Sequence, residues 1–261
     1  MYKKILTGLL LVTICFAAFS CRKSNKSTAD ATMNYFPIKF GHYVTYSVDS
    51  VYYIGAGNNF FGFDTCVRYE VKCQLKYAVT DTFRDDQNRL SYIMDVYYRP
   101  YDGGYWQGSS VILLTPTETP VTDLNAPVTQ SLLYTQDGTQ YVKMIFPISN
   151  GYTWKGNQYA QIGNPTFTYL QNWNYSYQNY HMSYFNGQIN FDNTVSVLED
   201  NENVNYTNVD SAVTGYRTFA KEVYAYNVGM IYKEWTHYTW NANDASCWNG
   251  YSVIMKAIDY N

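Results

Sequence analysis

At 261 residues the chain is long enough for one large domain or for two halves that share a core. A formal charge of −3, with charged residues at only 15% and no basic patch after Lys26, excludes a nucleic-acid-binding surface. Aromatic residues reach 19%, with 30 Tyr, and this composition favours pleated, half-buried β surfaces rather than disorder.

In chain order the first feature is a leader. Lys3 and Lys4 precede an apolar run from Ile5 to Ala18, which is followed by Ala18-Phe19-Ser20-Cys21. This is the three-part plan of a signal peptide. A helix over the apolar run would span about 21 Å, short of the roughly 30 Å hydrocarbon core, so no permanent transmembrane helix is expected. Ser20 and Cys21 resemble the end of a bacterial lipobox, although Ala18 and Phe19 depart from its usual pattern. Cleavage before Cys21 and lipid on its thiol are therefore expected, with plain secretion as the alternative. Two or three acyl chains on one cysteine would hold the protein stably on a bilayer, where a single chain binds only marginally. Loss of Lys3 and Lys4 with the leader takes the formal charge from −3 to −5. From Arg22 to Asn34 the sequence is polar and reads as a flexible tether. The expected plan is a leader over 1–20, a tether over 21–34 and a single antiparallel β domain over 35–261.

Strand periodicity begins at Val44 to Ile54, where Val44, Tyr46, Val48, Tyr52 and Ile54 share one face. Asp64 to Val79 alternates more clearly, with Val67 to Val79 facing one way and Arg68, Glu70, Lys72, Gln74 and Lys76 the other. The glycines and asparagines of 55–59 suit a hairpin between these two strands. Asp85 to Asn88 is a turn into Leu90 to Tyr98. Further strands are expected at Ser110 to Leu114, Gln130 to Tyr134, Gln140 to Phe146, Asn172 to Tyr180, Thr194 to Leu198, Met230 to Trp240 and Tyr251 to Tyr260. Asp137-Gly138 is a strong hairpin signal. Thr218 to Tyr226 reads either as strand or as a short helix. The fold class is all-β, with about ten antiparallel strands in a strongly curved sheet, an open barrel or a sandwich, and at most one short helix besides the leader.

Cys66 and Cys73 sit seven residues apart on one expected strand, too far to bond to each other. Cys73 falls on the apolar face as a free thiol. If a disulfide forms, Cys66 to Cys247 is the pairing to expect. These cysteines and the three histidines, His42, His181 and His237, lack zinc spacing. No metal and no cofactor is expected. His237, among Trp235, Tyr238 and Trp240, reads as a half-buried structural histidine.

Signs of catalysis are few. No G-x-S-x-G elbow occurs. Glu222 and Glu234 flank a turn at Asn227 to Gly229 that could bring two carboxylates together, as glycoside hydrolysis needs, but acidic residues on wet strand faces are commonplace. Glu199 to Asn203 offers oxygen ligands for calcium without EF-hand spacing and reads as a solvated loop. The chain is expected not to be an enzyme. Two aromatic groups are candidate ligand sites. Tyr101, Asp102, Tyr105, Trp106 and Gln107 suit a platform that stacks on sugar faces, or a hairpin folded back onto the core. Trp173, Tyr175 and Tyr177 alternate with polar residues, and their face is either a groove or the core side of a strand.

The opening Tyr35-Phe36-Pro37-Ile38-Lys39-Phe40-Gly41-His42-Tyr43-Val44-Thr45-Tyr46 and the later Lys221 to Glu234 resemble a family of Bacteroidota outer-membrane lipoproteins that has no established activity. The resemblance implies a β-rich envelope protein. Arg22 and Lys23, where surface-displayed members tend to be acidic, lean toward the periplasmic face, with surface exposure left open. Asp49-Ser50-Val51 and Asp210-Ser211-Ala212 resemble its O-glycosylation sites. The expected function is a membrane-anchored envelope protein that binds glycan or another envelope component on an aromatic β surface. The alternative is a periplasmic lipid or lipoprotein carrier with an apolar half-barrel cavity.

Overall fold

The computed structural model describes residues 33–54, 67–119, 129–160, 169–171, 173–205, 213–241 and 248–261. A 3-10 turn, Met33–Tyr35, leads into β1 (Tyr43–Ile54), β2 (Val67–Arg84), β3 (Leu90–Pro100), β4 (Gln107–Thr119), β5 (Thr129–Gln136) and β6 (Thr139–Phe146). The second half contains β7 (Thr153–Lys155), β8 (Asn174–Phe185), β9 (Asn190–Val204), β10 (Thr214–Ala225), β11 (Gly229–Asn241) and β12 (Trp248–Tyr260). All twelve lie in one antiparallel sheet in the order β6-β5-β4-β3-β2-β1-β12-β11-β10-β9-β8-β7. Two six-stranded meanders are thus joined where β1 pairs with β12, from Val44 opposite Tyr260 to Tyr53 opposite Gly250.

The sheet curls until its edges meet, giving a nearly closed barrel rather than a sandwich. Side chains make most of the seam. Val142 N donates to Gly156 O at 2.7 Å, and the Trp154 indole N–H donates to Val142 O at 2.8 Å. The Tyr177 hydroxyl accepts from Ile145 N and donates to Ile145 O, both at 2.9 Å, and so takes the place of a missing strand neighbour. Gly156 is required here because a Cβ would overlap the Tyr175 ring.

Because every pairing is antiparallel, connections alternate between the two ends of the barrel. One end carries the 3-10 turn, Lys39 to His42, the C-terminal Asn261 and the turns at 85–89, 147–152, 186–189 and 226–228; it is called here the tether end. The other, the mouth, carries the β3–β4 loop, the Asp137–Gly138 turn and the segment leaving β7. Asp137 and Gly138 have φ of 49° and 76°, the left-handed pair that a two-residue hairpin turn needs. At the tether end Asp85 accepts from Gln87 N and Arg89 N, as expected of a turn.

The all-β antiparallel fold is as expected, and the described residues form twelve strands against about ten. The additional ones are β7, whose three residues are too short to show a period, and β10, which takes in the ambiguous segment from Thr218 as far as Ala225. Glu199 to Asn203 is no solvated loop: after a register shift at Ala220/Lys221, β9 keeps pairing with β10, with Asn201 opposite Phe219 and Asn203 opposite Arg217. Met33 and Asn34, placed in the tether, form the 3-10 turn, and Asn34 O accepts from Asn227 N at 2.8 Å. Ser50 is buried within β1, which does not suit a glycan acceptor. Cys73 is a buried free thiol, as read. Cys21, Cys66 and Cys247, together with the expected hairpin at 55–59 and Asp210 to Ala212, lie outside the described residues.

Candidate functional site

Inward-facing positions near mid-height carry charge. Lys143 on β6 lies 2.7 Å from Glu199 of β9 and 2.7 Å from Glu222 of β10, and Lys233 of β11 lies 3.0 Å from Glu222. The Tyr224 hydroxyl donates to the second oxygen of Glu222. An isolated buried charge costs several kcal/mol, so this cluster is tolerable only because two ammonium groups face two carboxylates. Burial raises the Glu222 pKa, but Lys143 and Lys233 outweigh it and hold the carboxyl below the usual carboxylate range. For Glu199 burial and the Glu222 charge prevail over Lys143, and its pKa rises. Burial disfavours the Lys143 cation, yet Glu199 and Glu222 more than offset it and keep the amine protonated.

Register explains why the turn does not unite Glu222 with Glu234. Glu222 sits opposite Lys233, and Lys221 opposite Glu234, so neighbours in sequence point to opposite faces. Glu222 faces the interior; Glu234 faces outward and accepts from the Tyr232 hydroxyl at 2.9 Å. The carboxylate that joins Glu222 is Glu199 instead. With Glu222 accepting from two lysines and a tyrosine, its oxygens are committed to the protein, and the cluster serves as a rigid polar floor.

Above this floor, toward the mouth, lies a cavity of about 210 Å³. Rings of Tyr134, Tyr141, Trp173, Tyr175 and Trp235 form its wall, Lys143, Glu199 and Lys233 its base, and Asp137 and Thr139 its rim. The wall is held from behind. Tyr175 donates to Asn157 Oδ1 at 2.9 Å, Asn157 donates to Leu170 O at 2.7 Å, and the Trp173 indole donates to Tyr169 O at 2.7 Å. Trp173 and Trp235 meet edge to face with centroids 6.3 Å apart. The Trp235 indole nitrogen is buried and has no acceptor among the described residues. Lys233 uses one hydrogen bond on Glu222 and lies 5.1 Å from the Trp235 ring centre.

On the tether side of the floor the interior is nearly filled. A gap of about 40 Å³ remains among Phe36, Val44, Tyr46, Tyr77, Tyr224 and Met230. Phe36 packs on Tyr224, and Tyr46 donates to Met230 O at 3.0 Å, closing the barrel from below.

The two sequence-derived candidate groups part company. Trp173, Tyr175 and Tyr177 are buried, which makes theirs the core face; Trp173 and Tyr175 line the cavity, and Tyr177 serves the seam. Tyr101 and Tyr105 stand exposed in the β3–β4 loop at the mouth, Tyr105 at 93%, so this loop does not fold back onto the core. Asp102 and Gln107 are exposed beside them, and Trp106 is half-buried with the Arg99 guanidinium 4.3 Å from its ring centre. His237 stacks on Tyr169 at 3.6 Å, and its Nδ1 lies 2.9 Å from Thr218 Oγ1. Burial pushes its pKa down to about 4, so it is neutral near pH 7. The periodicity did not single out Lys143, Asn157, Glu199 or Lys233. One signal was available, namely Lys143 inside the otherwise apolar run Val142 to Ile145. No group of metal-ligating side chains occurs among the described residues.

No family model and no curated relative matches the sequence. Among solved structures, the chain aligns with a Bacteroides fragilis NCTC 9343 protein described as exported and as having a YmcC-like fold. Identity is 11%, coverage 86% of this chain and 98% of that one, and the TM-score 0.31. It also aligns with a Parabacteroides distasonis ATCC 8503 protein described as a lipoprotein, at 12% identity, 87% and 98% coverage and a TM-score of 0.25. At this level of similarity the function has to be argued from the chain's own residues.

Proposed function

We propose that the chain is an envelope lipoprotein, anchored through Cys21, whose barrel binds a glycan at its mouth without turning it over. The observation that carries this reading is the ring-walled cavity of about 210 Å³ above a polar, charge-balanced floor. That volume exceeds the roughly 150 Å³ that suffices for a benzene ring, so one six-membered sugar ring fits. Sugars present C–H faces to aromatic rings and hydroxyls to amines and carboxylates, and Lys233 and the Trp235 N–H have donor capacity to spare. A longer chain leaving the cavity crosses the end where Tyr101 and Tyr105 are exposed. The charged floor is also what favours a polar ligand over the acyl chain of the carrier reading, since desolvating ion pairs against hydrocarbon is costly.

Tryptophan fluorescence titration and gel retardation with soluble polysaccharides test the reading. Saturable binding is expected, and Trp235→Phe, which keeps a ring but removes the unpartnered N–H, should weaken it about fivefold at unchanged stability. Absence of binding across neutral and acidic polysaccharides, with lipid recovered by organic extraction, would replace this reading with the carrier.

A further inference from the structure

We infer that the tether end is a membrane-facing surface, on which Phe40, Phe185 and Tyr260 rest in the headgroup region of the bilayer that holds the lipid; this placement rests on the Cys21 anchor. Phe40 is 70% exposed and Phe185 61%, although both belong to a residue type that is usually buried. They are parts of one rim. Asn261 accepts from Tyr43 N and donates to Gly41 O, which sets Phe40 beside the end of β12. The Tyr260 ring lies 5.7 Å from that of Phe191, and Phe185 pairs with Asn190 one residue away.

The hairpin bearing Phe185 is fixed in place. Register shifts near Met182 bend β8, and the hairpin tip crosses to β11 and β12, where buried Asn186 donates to Ile231 O at 3.1 Å and Ala257 O at 2.9 Å. Both carbonyls sit beside register shifts that interrupt regular pairing, between Val223 and Tyr224 on β10 for Ile231 and between Thr45 and Tyr46 on β1 for Ala257. The apolar rim is therefore a built edge of the barrel.

Position identifies the occupant. Met33 enters the fold at this end, and Cys21 is twelve residues upstream, so Met33 stays within about 43 Å of the lipid-bearing residue even at full extension. Aromatic side chains with one apolar and one polar end belong at the headgroup level, and Tyr226 and Tyr260 supply such ends here. Exposed Lys39 adjoins Phe40, whereas exposed Asp86, Asp192 and Asp259 would resist deeper entry. Docking is shallow, and the mouth faces away from the membrane, about 40 Å along β1.

The test uses the full lipidated chain in vesicles of phosphatidylethanolamine and phosphatidylglycerol. In a Cys66→Ser, Cys247→Ser background, an environment-sensitive dye is attached through Phe40→Cys, Phe185→Cys or, as the mouth control, Tyr105→Cys. Nitroxide-labelled lipids should quench the first two labels at least about twofold more than the third. Equal quenching, or stronger quenching at position 105, overturns the proposal. Partition into detergent phase and the mass of the N-terminal peptide report the anchor separately, so an unlipidated chain marks failure of the anchor and not of the rim. If the serine background does not fold, hydroxyl-radical oxidation of the native chain replaces it. Exposed Met182 should then be protected on vesicles relative to the Cys21→Ala chain, and equal oxidation overturns the proposal.

Discussion

The two halves of the barrel interior use the same aromatic vocabulary to opposite effect. Below the ion-pair floor, Phe36, Tyr46 and Tyr224 interlock and leave about 40 Å³; above it, Trp173, Trp235 and Tyr141 line a wall around about 210 Å³. The lower half has a plug, supplied by the chain's own entry segment, and the upper half has none among the described residues. Aromatic content alone therefore does not identify a binding site. What separates the halves is whether the rings have a partner already.

The largest break in this contrast should come from the floor. Glu222→Ala would leave Lys143 and Lys233 sharing one carboxylate, and a loss of about 3–5 kcal/mol is expected in urea unfolding. A loss below 1 kcal/mol would mean that the floor is hydrated and the two halves communicate. Asn186→Ala strikes the lower half alone. Two buried carbonyls lose their donor, and about 2–4 kcal/mol is expected, with faster amide exchange confined to the β8–β9 hairpin and its β11 and β12 neighbours; loss of sugar binding in this variant would contradict the independence of the halves.

The third effect is smaller and reads the upper half through pH. His237 has a folded pKa of about 4 against an ordinary value of 6.5, so its contribution is complete above about 6.5 and is lost as pH falls toward 4. Asp200, raised by burial to about 6 from 3.8, works in the opposite sense and loses stability as pH rises through that window. Their opposition flattens the wild-type profile. The stability gap between wild type and His237→Gln should therefore narrow as pH falls from 7 to 5, and a constant gap would show that the imidazole is not held neutral by burial.

Local patterns carried the strands but not their long-range partners. The alternation in Val67 to Val79, the acidic turn at Asp85 and the Asp137-Gly138 hairpin are short-range consequences of pleat and backbone conformation, and all three were legible. The pairing of β1 with β12 joins residues roughly two hundred positions apart, and no local period encodes it. The same limit hid the site. Glu222 read as an acidic residue on a wet strand face; its inward position depends on the register that sets it opposite Lys233, and its partner Lys143 on β6 reaches it only when the sheet closes. Trp173 and Tyr175 were singled out by alternation, yet whether their face met core or cavity depended on the ring opposite, Trp235, sixty residues away.

The strand order has a mechanical consequence. Read from β7 through β12 and on from β1 to β6, the sheet is an uninterrupted up-and-down meander, so the natural chain is that meander opened in its middle and rejoined across the seam. A circular permutant linked from Asn261 to Met33 and cut near Gly151 would keep every strand pair. The natural cut places the chain's entry into the fold next to β1, which is bonded along both edges, and leaves the side-chain-built seam half a circumference away. A pull transmitted through the entry segment is thus borne by a strand paired along both edges, and the side-chain-built seam carries the least load.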